Sequence, residues 1–142
     1  MPTNEQKISE LLTRGVENIY PTKEFLEKEI KSGRKLTLYT GYDPTAPTLH
    51  IGHGITLLKL RQFQNLGHKI IMLIGDFTGM IGDPTDKSAA RTRLTRKEVL
   101  QNCKTYQKQA NTILNFSGKN PAAIKYNSKW LGKMSFADVI EL

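Results

Sequence analysis

Two short β-prone runs separated by a stretch of helical periodicity constrain this chain more than any other feature. The first run is Leu36-Thr37-Leu38-Tyr39-Thr40, which breaks at Gly41; the second, Ile70-Ile71-Met72-Leu73-Ile74, is continuously apolar. Between them, over about residues 49–66, apolar side chains recur at helical steps, as Ile51, Ile55 and Leu58 and then as Leu57, Leu60 and Phe63. Gly67 supplies a stop. Strand, helix and strand in this order make a βαβ unit, with a right-handed crossover and parallel strands. The unbroken apolar second run predicts a sheet covered on both faces. A third parallel strand is expected at Ala123-Ile124-Lys125-Tyr126. The fold class is α/β.

Around this unit the helix signals are clear. Thr3 and Gln6 form a capping box that opens a short helix with Ile8, Leu11 and Leu12 on one face. Pro21-Thr22 starts a second helix that runs to about residue 32 and stops at Gly33. Thr95 and Glu98 form another capping box, opening a long helix with Val99, Cys103, Tyr106, Ala110 and Ile113 along one stripe. Ser135 and Asp138 begin a last helix, within which the chain ends. The organisation expected is a helical segment over 1–34 and an α/β unit over 35–142. At 142 residues, with 38% hydrophobic and 24% charged residues, the composition is that of one globular domain. No apolar run approaches the ~18 residues of a membrane span, and the polar start is not a signal peptide. A lone Cys103 excludes an internal disulfide and a Cys-rich zinc site, and fits a reducing cytosol. A soluble cytoplasmic chain without membrane contact is the expectation.

The net charge of +8 is not spread evenly. Residues 1–34 and 35–86 are each balanced, whereas 87–108 hold Lys87, Arg91, Arg93, Arg96, Lys97, Lys104 and Lys108 against Glu98 alone. Such a block is either a solvated basic face or a contact for phosphate, whether of a nucleotide or a nucleic acid.

Ligands of open α/β sheets bind where the strands end at their carboxyl sides. Two polar clusters fall there, 39–53 after the first strand and 76–91 after the second. The first contains Asp43-Pro44-Thr45-Ala46-Pro47-Thr48, too rich in proline for a helix or a central strand. It ends in His50-Ile51-Gly52-His53 at a helix N-terminus, where free N–H groups and the helix dipole favour phosphate. Gly52 lacks a Cβ, so a flat ring could lie against the backbone. Read alone, the two histidines are equally ordinary, internally satisfied residues. No third ligand at matching spacing accompanies them, so no metal site is assigned.

The segment Gly41-Tyr42-Asp43-Pro44-Thr45-Ala46-Pro47-Thr48-Leu49-His50-Ile51-Gly52-His53, followed by Gly79-Met80-Ile81-Gly82-Asp83-Pro84-Thr85, resembles the bacterial-type tyrosyl-tRNA synthetases, which are class I aminoacyl-tRNA synthetases. The similarity runs from about residue 36 to the end and includes Asn127-Ser128-Lys129-Trp130-Leu131-Gly132. It implies the first half of a Rossmann-like catalytic domain preceded by short helices. It also implies a two-step reaction, in which tyrosine and ATP, accompanied by Mg2+, give tyrosyl-adenylate and pyrophosphate, and the tyrosyl group passes to tRNA(Tyr). A homodimer is the form implied for the intact enzyme.

On the same resemblance, His50 and Thr45 would contact the ATP phosphates, and Gly52, His53 and Thr56 would lie beside the ribose and adenine. Lys87 and Arg91 would stabilise departing pyrophosphate. Tyr39 would hydrogen-bond the substrate phenol, Asp43 and Asp83 would face its ammonium, and Thr78 and Asn127 would complete the pocket. Without the resemblance, Tyr39 reads as an ordinary strand tyrosine and both aspartates as turn residues before proline. Asp76 stands where many members carry a small residue and is left unassigned. The family's second signature, a Lys-Met-Ser-Lys-Ser-like loop, has no true counterpart: Lys133-Met134-Ser135 is followed by Phe136-Ala137. The chain is therefore expected to be an N-terminal portion of such an enzyme and a poor catalyst by itself. Two alternatives stay open, a different adenylyltransferase with the same tetrapeptide and a non-catalytic nucleotide- or RNA-binding remnant.

Overall fold

Three parallel strands in sequential order carry the molecule. The computed structural model describes residues 3–81 and 94–141. Strand β1 (Thr37–Tyr42) pairs with β2 (Lys69–Ile74), and β2 with β3 (Ala123–Tyr126), giving the order β1-β2-β3. Tyr42 lies opposite Ile74, which lies opposite Tyr126, so all three strands end level. Helices α1 (Asn4–Thr13) and α2 (Lys23–Lys31) precede the sheet, α3 (Ile51–Asn65) connects β1 to β2, and α4 (Arg96–Ala110) lies between β2 and β3. Two short helices follow, α5 (Ser128–Leu131) and α6 (Phe136–Ile140).

Local signals set the ends of these helices. The capping boxes at Thr3, Thr95 and Ser135 all form, each hydroxyl accepting from the N–H three residues on. Helix α3 ends in a Schellman turn: Gly67, at φ 89°, donates to Gln64 O, and the His68 N–H donates to Phe63 O. Gly33, at φ 78°, follows α2 in the same left-handed conformation.

Among the described residues the sheet is covered on one face, where the apolar run predicts two. Both crossovers step in the same direction across the sheet, which puts α3 and α4 on one side. Leu57, Leu60 and Phe63 of α3 and Tyr106 and Ala110 of α4 share one core with Ile70, Met72 and Ile74 of β2. On the other face Ile71 and Leu73 are only half-buried, and Tyr39, Lys69, Ala123 and Lys125 are exposed, with no described element packed over them. Helix α3 is likewise only half used. Its second apolar stripe, Ile51, Ile55 and Leu58, faces outward, with Ile51 85% exposed. In α4, Val99, Tyr106 and Ala110 are buried as expected, whereas Cys103 is half-buried and Ile113 lies beyond the helix end.

Helix α1 joins the same core through Ile8, Leu11 and Leu12. The Lys59 ammonium of α3 donates to Leu11 O (2.9 Å) and Arg14 O (2.8 Å), satisfying carbonyls that α1 leaves unpaired at its end. A second long-range tie is polar and buried. Gln64 donates through Nε2 to Asn115 O (2.7 Å) and Asn120 O (2.9 Å), and its Oε1 accepts the Asn115 N–H (3.0 Å). Asn120 returns bonds to Gln64 O and His68 O. This node anchors the approach to β3 on the end of α3. Gln64→Ala strands several of these groups and is expected to cost about 2–3 kcal/mol in urea denaturation. Arg61→Ala, which removes one half-buried donor at 3.2 Å from Gln64 Oε1 and leaves the other bonds of the node in place, is expected to cost under about 1 kcal/mol.

Candidate active site

Because the strands end level, the residues just past them converge. Along β1 and its continuation, Tyr39, Gly41 and Asp43 alternate with the inward-facing Tyr42 and lie on the uncovered side of the sheet. Tyr39 is 69% exposed, beside Ile71 in the register. Gly41 pairs with Leu73, which pairs with Lys125, and the direction a Gly41 side chain would take meets nothing within 4 Å. An open trough therefore runs from the Tyr39 phenol, over Gly41 and Leu73, to the Asp43 carboxylate.

Asp43 is held from the neighbouring strand ends. Asp43 Oδ1 accepts the Thr78 hydroxyl (2.6 Å), and Thr78 Oγ1 accepts the Asn127 amide (3.0 Å). Asn127 Oδ1 accepts the Phe77 N–H (3.0 Å), so one buried amide spans the β2 and β3 ends. Gly75 is where the structure requires glycine, since a Cβ there would overlap the Asp43 carboxylate and press on the Thr78 hydroxyl. Asp76, left unassigned by sequence, is buried and accepts both the Ser128 N–H (3.0 Å) and the Ser128 hydroxyl (2.6 Å). It holds the start of α5, and with it Asn127. The Asp43–Thr78–Asn127 cluster thus brings together three expected residues. Gly75, Asp76 and Ser128 support it and have no role assigned from the sequence, because their partners are distant in it.

At the start of α3 the two histidines cap each other's backbone. His50 Nδ1 accepts the Gly52 N–H (3.1 Å), and His53 Nδ1 accepts the His50 N–H (3.1 Å). An accepting Nδ1 puts the proton of each neutral ring on Nε2. Both rings, 3.8 Å apart at their centroids, therefore offer Nε2–H donors and have no free Nδ1 lone pair for a metal. The space beside Gly52 is filled by the His50 ring itself, whose Cε1 would lie 2.9 Å from an added Cβ. Thr56 is engaged too: its hydroxyl donates to His53 O (2.9 Å) and accepts from the Tyr42 phenol (2.8 Å). Thr45 is exposed in the proline loop, its N–H on Asp43 O (2.8 Å). Asp83, Lys87 and Arg91 lie outside the described residues.

Residues 31–142 match the family described as tRNA synthetases class I (W and Y). The chain belongs to that family. Among its curated relatives, the tyrosine--tRNA ligase of Carboxydothermus hydrogenoformans is 50% identical over 100% of this chain and 35% of the relative. That of Moorella thermoacetica is 48% identical over 93% of this chain and 32% of the relative. The chain thus spans about a third of the length of these class I relatives. A C-terminally truncated mitochondrial tyrosyl-tRNA synthetase from Coccidioides posadasii superposes with a TM-score of 0.71 at 27% identity, over 95% of this chain and 39% of that one. The Archaeoglobus fulgidus tyrosyl-tRNA synthetase complexed with L-tyrosine shares the fold, with a TM-score of 0.67 at 22% identity over 96% of this chain and 38% of that one. The α/β reading and the family resemblance both hold. Among the described residues no helix is long and apolar enough to cross a membrane.

Two outcomes test this geometry. Burial first, and then the neighbouring His50, hold the His53 ring below its ordinary value of 6.5, and burial does the same for His68. The fold therefore favours both rings neutral, and what they contribute is complete above pH 6.5 and is lost as pH falls through the lowered values. An NMR titration should place the His53 midpoint below 6.5, with the melting temperature dropping over the same range; a midpoint above 6.5 contradicts the capping arrangement. Gly75→Ala is expected to cost about 1–3 kcal/mol in urea denaturation as Asp43 is displaced.

Proposed function

We propose that this chain carries the amino-acid- and phosphate-facing half of a tyrosine-activating site, in a tyrosine–tRNA ligase. The observation that carries the reading is the trough with Tyr39, Gly41 and Asp43 on one side of β1. Four residues of extended chain separate its two polar ends, about 13 Å. A phenol at one end, a carboxylate at the other and only Gly41 between them along β1 suit an aromatic amino acid with its hydroxyl toward Tyr39 and its ammonium toward Asp43. Within a family spanning tryptophan and tyrosine, a phenol partner at the far end favours tyrosine.

The chemistry asked of this half is positioning. One oxygen of the tyrosine carboxylate attacks the α-phosphorus of ATP, the bond to the bridging oxygen breaks, and pyrophosphate leaves. The Nε2–H groups of His50 and His53, at the dipole-positive start of α3, would donate to phosphate and ribose oxygens, with Thr45 beside them. Gly52 and Thr56 would border the ribose and adenine, Thr78 and Asn127 would hold Asp43 in place, and Asp83, Lys87 and Arg91 would complete the ammonium and pyrophosphate contacts. Mg2+ would arrive on the triphosphate as part of the nucleotide substrate. In this reading residues 1–34 are a helical N-terminal segment and 35–142 the first part of a Rossmann-like catalytic domain. The intact enzyme would be a cytoplasmic homodimer that charges tRNA(Tyr).

The 142 residues by themselves are expected to bind tyrosine and ATP but to turn over poorly, since the second family signature has no counterpart in them. Equilibrium dialysis with labelled ligands tests this. Saturable tyrosine binding, at least tenfold tighter than tryptophan, and saturable ATP binding support the reading. Tyr39→Phe should weaken tyrosine roughly two- to tenfold while leaving phenylalanine unchanged, the worth of one hydrogen bond. Tryptophan binding tighter than tyrosine, or no binding of either ligand, overturns it.

A further inference from the structure

The six residues 43–48 between β1 and α3 form a loop that is rich in acceptors and poor in donors. Pro44 and Pro47 have no N–H, and the Thr45 N–H is spent on Asp43 O, within the loop. Its outward carbonyls are met by one face of α4, across some 60 residues of sequence. Asn102 Nδ2 donates to Pro44 O (2.9 Å), and the buried Tyr106 phenol donates to Ala46 O (2.9 Å). Pro47 O accepts both the Thr105 hydroxyl (2.5 Å) and Gln109 Nε2 (2.9 Å), one donor for each lone pair. Gln109 Oε1 then accepts the Leu49 N–H (2.8 Å), immediately before His50. The four side chains, at 102, 105, 106 and 109, follow helical spacing, so a single helix face reads the loop carbonyl by carbonyl. An apolar contact alone would fix the distance of the loop from the helix but not its orientation. Five directed bonds fix both.

We propose that Asn102, Thr105, Tyr106 and Gln109 are positioning residues for the nucleotide: they set the loop so that Thr45 and the start of α3 stand ready for the ATP phosphates. The inference rests on the phosphate-facing role given above to Thr45 and His50. Gln109 is its centre, because it holds the loop through a carbonyl on one side and through the amide preceding His50 on the other. The amino-acid trough is built from other contacts, those of Gly75, Thr78 and Asn127, so the clamp should act on ATP and not on tyrosine.

The test measures ATP and tyrosine binding separately for the unaltered chain, Gln109→Ala, Thr105→Val and Thr105→Ser, with hydrogen exchange at the Leu49 amide. Gln109→Ala and Thr105→Val should weaken ATP about tenfold, a misplacement effect, and change tyrosine affinity less than about twofold. Thr105→Ser, which keeps the hydroxyl, should restore ATP binding. The Leu49 amide should exchange at least about tenfold faster in Gln109→Ala. Equal weakening of both ligands marks a merely structural role and overturns the proposal, as does unchanged ATP affinity in Gln109→Ala with a faster Leu49 amide. Should the unaltered chain bind neither ligand, the tyrosine-activating reading fails first and the clamp's role in nucleotide binding fails with it. Should it bind both while only the variants' selectivity is missing, the clamp alone is refuted.

Discussion

The level register of the three parallel strands is the constraint on which the rest of the site depends. Tyr42, Ile74 and Tyr126 lie opposite one another, so the three chain segments leave the sheet at the same height. Asp43, Gly75 to Thr78 and Asn127 then meet within hydrogen-bonding distance without any long excursion of the backbone. A shift of one residue in the β1–β2 pair would turn Tyr39 and Gly41 toward the core and Tyr42 outward, because side chains alternate along a strand. The trough would disappear and the carboxylate would lose its support.

Sequential strand order has a second consequence. With both crossovers on one side, the apolar side chains of that side form a closed core, while the opposite side keeps Ile71 and Leu73 half-buried around Gly41. The open face is where the amino-acid trough lies, and the closed face is where α3 and α4 present their polar edges to the loop after β1. In the proposed reading the sheet would divide the substrate-facing chemistry: amino-acid contacts from strand residues and their extensions, phosphate contacts from a loop and a helix start. That division accounts for two separate hydrogen-bond systems, one centred on Asp43 and one on Gln109.

Much of this was legible in the chain. Capping boxes at Thr3, Thr95 and Ser135 and the glycine stops at Gly33 and Gly67 involve partners three to five residues away, and local chemistry decides them. The placement of Tyr39 on the first strand and of Asp43, His50 and His53 beyond it followed from the βαβ pattern. What the pattern misjudged was coverage. A continuous apolar run in β2 reads as buried on both faces, yet burial depends on which side the crossovers take. The outward stripe Ile51, Ile55 and Leu58 shows the same limit, since helical spacing reveals apolar faces but not which of them meets the core. The polar face of α4 went unread because Asn102, Thr105 and Gln109 look like solvated positions until the proline loop is brought against them.

By itself, then, the chain's order of residues determined the α/β class, the ends of its helices and the family motif at the start of α3, all features encoded within a turn or a strand. Tertiary structure alone decided the tautomers that Nδ1 acceptance imposes on His50 and His53, the need for glycine at 75, the burial of Asp76 against Ser128 and the grip of α4 on the proline loop. For all but the histidine pair the physical reason is sequence distance. These contacts join groups between about 30 and 60 residues apart, and no local propensity encodes them. The histidine tautomers depend instead on where two rings settle against the first turn of α3.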